Sequence, residues 1–240
     1  VINFLAFEAR FPVSETLASK EGFSLEVDRE EVWRYMHTRN PLPSLDAEVD
    51  WARGRVRELA QPKAATLRLA VEGLGPGGVV LDGGVKLESP RLSQYFQGAE
   101  YATLMGLTIG PQAEEEANGL FAKGDMVKGL ALDSAATALV HRVSDQLHRR
   151  AFSEAEKEGM KTGPCLSPGG AAWDLTGQRV LFPLLHLEEL GLRLLESCFM
   201  YPRKSVTRVL PMGRELAVRA SPDESRCRYC TNTYCLARRE

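Results

Sequence analysis

At 240 residues, with 44% hydrophobic and 26% charged side chains, the chain is long enough to bury a sizeable core as one large domain, or as one domain with a small appendage, without disulfides. A formal net charge of -2 supplies no global attraction to nucleic acid, so any partner has to be recognised locally. No apolar run approaches bilayer-spanning length, and Val1-Ile2-Asn3-Phe4-Leu5-Ala6 lacks the basic flank of a secretion signal, so a cytoplasmic protein with no membrane partner is expected.

Residues 1–25 mix apolar and polar types without a sustained period and read as an N-terminal extension whose order depends on packing against the body. A helix is predicted from Asp28, with Glu30 and Glu31 in its first turn where they meet the positive end of the dipole, stopping before Asn40-Pro41. A second runs from Leu45 to Ala60, ended by Pro62. Ala65 to Val71 alternates as a strand does, Val79 to Asp82 is its partner, and Tyr101 to Ile109 is a third strand. From Pro111 to Met160 the period is helical, with at least two helices and the best segment at Met126 to Arg150. The last third holds a loop at Gly163 to Asp174, a helix from Thr176 to Leu190, a strand from Arg193 to Met200, and a hairpin joining Ser205–Leu210 to Glu215–Arg219 through a turn at Pro211-Met212-Gly213. Strands and helices follow no βαβ rhythm, so the predicted class is α+β with a mostly antiparallel sheet.

Gly73-Leu74-Gly75-Pro76-Gly77-Gly78 has the glycine spacing of a dinucleotide fingerprint, but Pro76 removes a donor and β-branched Val79-Val80 follows where a helix should open. A turn between strands is the better reading. The histidines, His37, His141, His148 and His186, form no pair at metal-binding helical spacing and read as solvated or hydrogen-bonded side chains. Glu114-Glu115-Glu116 is either an anionic docking patch or, preferably, a solvated first turn stabilised by the helix dipole. The sharpest chemical feature is Cys227-Arg228-Tyr229-Cys230-Thr231-Asn232-Thr233-Tyr234-Cys235. Three thiols within nine residues can converge on one ion, and Arg226, Arg228, Arg238 and Arg239 favour thiolate. The fourth ligand is left open between Cys165, Cys198 and solvent, and the spacing does not choose between zinc and an iron–sulfur cluster.

Two blocks carry a family likeness. Met126 through His141 to Leu147-His148-Arg149-Arg150 forms one; the more specific is Ser167-Pro168-Gly169, Trp173-Asp174, Leu181-Phe182-Pro183-Leu184-Leu185, Gly191, Glu196-Ser197, Met200, Pro202 and Ser205-Val206. In order and approximate spacing these resemble the activation (reactivation) domain of cobalamin-dependent methionine synthase, over roughly Val27 to Glu240. With the appended cysteines the chain is similar to shorter stand-alone relatives of that domain. The resemblance implies a C-shaped α+β domain over residues 26–220, followed by a Cys-rich tail at 221–240. It also implies a corrinoid protein or cobalamin-dependent methyltransferase as partner, with cobalamin carried by that partner. Its ligand loop falls on Ser167, Pro168, Gly169, Gly170 and Trp173.

The family arginine before the Pro-Gly pair and the tyrosine after it correspond here to Cys165 and Gly170. Loss of a bidentate cation and a phenol argues against S-adenosylmethionine, and Cys165 becomes the leading fourth ligand to Cys227, Cys230 and Cys235. Three functions follow: reductive reactivation through a cysteine-ligated cluster, a zinc-stiffened module that binds a corrinoid protein, or S-adenosylmethionine binding through Ser167, Gly169 and backbone amides. Catalytic residues are not assigned by any of them.

Overall fold

The structure, a computed structural model, describes residues 15–17, 22–37 and 42–221. Its first helix, α1 (Arg29–Tyr35), buries Val32 and Trp33 and ends earlier than predicted, because His37 turns left-handed at φ 58° and closes the helix. Helix α2 (Asp46–Leu59) buries Val49, Ala52 and Val56, one stripe at helical spacing.

The chain then enters the sheet. Strand β1 (Glu15–Leu17) lies against the start of β2 (Lys63–Gly75), and a tight turn at Pro76-Gly77 leads to β3 (Gly78–Leu81). The glycine-rich run is thus a hairpin turn, as favoured. Gly78 sits at φ 137°, and a Cβ there would meet the Leu87 carbonyl oxygen at 2.1 Å. Next come β4 (Val85–Glu88), helix α3 (Pro90–Tyr95), β5 (Tyr101–Thr108), helix α4 (Gln112–Ala122) and helix α5 (Met126–Lys157). Helix α5 runs beyond Arg150, the end of the best-patterned segment, and stays within the helical stretch expected to Met160, because Ala151 and Ala155 continue the buried face.

After β6 (Lys161–Thr162) the loop leads to α6 (Gln178–Leu184). This helix stops six residues short of the predicted end: Pro183 occupies its last turn and His186 is left-handed at φ 47°. The strand expected at 193–200 is instead a small hairpin, β7 (Arg193–Leu194) with β8 (Met200–Tyr201), turned by Cys198 at φ 65°. The hairpin expected across Pro211 is also corrected. Strand β9 (Ser205–Gly213) runs straight through Pro211, whose carbonyl accepts from the Gly163 N–H at 2.9 Å, and Glu215–Arg219 is not its second arm.

The main sheet is antiparallel in the order β4-β3-β2-β5-β9-β6, with β1 beside β2, so the α+β class and antiparallel sheet are as expected. Alternate side chains divide between two cores. Met105, Leu107, Leu210 and Met212 face α1, α2, α4 and α5 in the first core, where Phe23 of the N-terminal stretch is also buried. Ala102, Leu104 and Val209 face α3 and α6 in the second, with Phe96, Leu81 and Trp173.

In the acidic triplet of α4, Glu115 is exposed in the first turn, while its two neighbours are paired. Glu114 is buried and accepts from the Arg203 backbone N–H at 2.8 Å and its Nε at 2.7 Å; Glu116 takes both prongs of Arg55 at 2.7 Å. Beside them Lys204, also buried, donates to Thr137 and pairs with Asp133, each at 2.8 Å. The Arg203 and Lys204 pairs pin the β8–β9 corner to α4 and α5, and Arg55 ties α2 to α4.

Candidate ligand-binding cleft

The predicted loop leaves the sheet at Leu166, which bridges Val209 of β9. It then folds on itself. The Gly170 N–H donates to the Ser167 carbonyl at 3.0 Å, the Trp173 N–H to Gly170 at 3.3 Å, and the Gly169 N–H to Trp173 at 2.9 Å, with Gly169 at φ 82°. Such a reversal needs a residue tolerant of the left-handed region at 169. Trp173 is sunk in the second core against Gly177, where a Cβ would lie 2.4 Å from the indole Cε2.

Two donors from the β4–α3 corner hold the loop in place: Ser89 Oγ to the Ala172 carbonyl at 2.7 Å and Arg91 Nη1 to the Ala171 carbonyl at 3.0 Å. Between corner and loop lies an open cleft of about 550 Å³, walled by Gly169, Gly170, Trp173, Leu175 and Phe199, with Arg91 and Asp174 as its charged lining residues. That volume suits a small molecule. Asp174 Oδ1 accepts from the Thr176 hydroxyl at 2.7 Å and its N–H at 2.9 Å, and these bonds, the hydroxyl first, hold the carboxyl below the usual carboxylate range. Phe199, 63% exposed, projects from the β7–β8 turn. Beneath it the Arg179 Nε donates to the Cys198 sulfur at 3.2 Å.

Of the residues assigned to the ligand loop, Gly169, Gly170 and Trp173 line this cleft, while Pro168 is buried and Ser167 contributes the carbonyl that closes the turn. Cys165 does not line it. Strand alternation about Leu166 sends Cys165 to the opposite side of the sheet, where it is half-buried against the first core. Cys227, Cys230 and Cys235 lie outside the described residues, and among the described residues no three His, Cys, Asp or Glu side chains gather as metal ligands. No described helix is long and apolar enough to cross a membrane.

Neither family models nor curated proteins match the sequence. Among solved structures, the crystal structure of the MetH reactivation domain bound to AdoHcy matches with a TM-score of 0.58 at 16% identity, over 88% of this chain and 79% of that one. The chain has the reactivation-domain fold. Its likeness is one of backbone, since five residues in six differ. On this reactivation-domain scaffold, the loop expected from the sequence forms one wall of the cleft, and the wall facing it, Ser89, Arg91 and Phe199, was not expected. One signal was present in Ser89-Pro90, a cap residue followed by proline at the first helical position.

Proposed function

We propose that this chain services a cobalamin-dependent methyltransferase, in the manner of a methionine synthase reactivation domain, and that its 169–175 cleft receives an S-adenosylmethionine-type ligand. The observation that carries this reading is the meeting of fold and cleft. The fold is that of a domain crystallised with AdoHcy, and the loop singled out by sequence resemblance forms one wall of a small-molecule-sized cleft. Arg91 brings a guanidinium to this cleft from α3, on the opposite side of the sheet from Cys165. A methyl donor held beside a docked corrinoid would couple an uphill cobalt reduction to irreversible methyl transfer, and holding it there is what the protein supplies. Calorimetric titration with S-adenosylmethionine is expected to give saturable heat. Absence of both heat and thermal shift at millimolar ligand removes the cleft from the proposal.

A second reading is favoured by where the tail begins. The Ala220 N–H donates to the Thr162 carbonyl at 3.0 Å, so the chain enters the 221–240 segment three residues from Cys165. Seven Cα-to-Cα steps, a reach of about 24 Å at full extension, separate Ala220 from Cys227. In this reading Cys227, Cys230 and Cys235, with Cys165 as fourth ligand, bind an iron–sulfur cluster that passes an electron to the corrinoid partner, or a zinc ion that stiffens a binding module. Anaerobic purification separates these: brown protein containing iron and sulfide supports the first, colourless protein with one zinc the second, and metal-free protein neither. Cys165→Ser with unchanged metal content removes Cys165 from the ligand set.

A further inference from the structure

We propose that the outer edge of β4 is an interface for a second copy of this chain. Two β4 strands pair antiparallel about a two-fold axis at Leu87, with Lys86 of each copy facing Glu88 of the other. The interface rests on the sheet alone and not on the ligand cleft.

Strand β4 ends the sheet beside β3, and among the described residues no strand pairs with its other side. The register decides which groups that side offers. A Cβ added to Gly78 of β3 would meet the Leu87 carbonyl oxygen and the Ser89 nitrogen, so those groups point at β3. Alternate residues of an antiparallel ladder point the other way, which leaves the N–H and C=O of Lys86 and Glu88 facing outward. Both residues are exposed, and neither has an ion pair among the described residues. Val85 and Leu87, at 0% exposure, are sealed in the second core. A groove of about 460 Å³ at this edge is lined by residues 75–88 of β2 to β4, with no helix among its walls.

A lysine on a sheet edge normally deters an added strand. The spacing of Lys86 and Glu88 reverses this for one partner. Opposed residues must share a face of the sheet, so a two-fold axis passes through a residue and not between two. An axis at Lys86 sets lysine against lysine. One at Glu88 sets glutamate against glutamate, and Pro90, which has no N–H, against Lys86. An axis at Leu87 sets Lys86 against Glu88 twice, and the outward N–H and C=O groups of these two residues then bond across the seam. Of the three registers, this one joins opposite charges. A strand of four residues buries far less than the about 1,600 Å² of a standard interface, so the dimer is weak and forms in concentrated protein.

Sedimentation equilibrium of the full chain, from about 10 µM to about 500 µM, reads the association. Wild type is expected to show a monomer–dimer equilibrium across that range. Lys86→Glu and Glu88→Lys each put like charges into both pairs, and each is expected to weaken the dimer at least about tenfold. Mixed in equal amounts, the two variants set glutamates against lysines. The double variant Lys86→Glu/Glu88→Lys restores opposite charges within one chain. Mixture and double variant are both expected to return to within about threefold of the wild-type Kd, which also shows that the single variants fold. Wild type that stays monomeric throughout overturns the proposal, as does a dimer indifferent to either substitution. Loss in the single variants with no recovery in the mixture or the double variant overturns it too, because charge would then not set the register.

Discussion

Asp145→Ala is expected to lower stability by about 3–5 kcal/mol, because it strands a buried cation. The partner is Arg208 of β9, 2% exposed, whose Nη1 lies 3.3 Å from Asp145 Oδ1 and whose Nη2 is buried without a hydrogen-bond acceptor among the described residues. A guanidinium does not escape burial by losing its proton, so removal of the carboxylate leaves its full desolvation cost exposed. Arg208→Met behaves differently. It deletes the buried charge and fills the space with a flexible apolar chain, while the carboxylate of Asp145 is 25% exposed. The double variant Asp145→Ala/Arg208→Met should therefore be more stable than Asp145→Ala alone. Urea midpoints of the four proteins in this cycle check it, and an Asp145→Ala protein within about 1 kcal/mol of wild type would mean that Arg208 draws its compensation elsewhere.

The second large effect is at Gly98. Its φ of 78° is in the left-handed region, and a Cβ there would sit 1.9 Å from the Glu215 carbonyl oxygen, which is backbone and has no rotamer to yield. The approach is this close because the strap after β9 folds back across residues 97–100: Ala217 N–H donates to the Gln97 carbonyl at 3.0 Å, and Glu100 N–H to Met212 at 2.8 Å. Gly98→Ala should cost about 3 kcal/mol or more, combining backbone strain with displacement of the strap. Gly84 provides the control. It has nearly the same φ, 75°, but nothing within 4 Å of the added Cβ, so Gly84→Ala should cost only about 1 kcal/mol. Thermal unfolding of the two variants reads the difference directly; equal shifts would show that the strap gives way freely.

Elements with a strong local period were legible in the sequence, and those fixed by distant partners were not. Val49 and Val56 gave α2 away, and the alternation around Leu67 and Leu69 gave away β2, because one buried face imposes its spacing on the residues. Helix α3 escaped because six residues are too few to display a period, and strand β4 beside it was missed as well. That corner is what carries Arg91 to Ala171, 80 residues away, so half of the cleft was out of view. Glu114 misled for a similar reason. Its position in a first turn is local information, whereas Arg203, 89 residues on, decides that it is buried and paired. The loop from Ser167 to Trp173 was found through family likeness and not through composition, and likeness alone did not reveal that Cys165 turns away from the cleft.

The single peptide layer between the two cores makes β9 intolerant of slippage. Sliding it one residue along β5 would trade every side chain to the other face and carry the guanidinium of Arg208 to the side of the second core, away from Asp145 on α5. One ionic residue in this ribbon thus works as a key: it discriminates between two alignments and ties the chosen one to the carboxylate on α5.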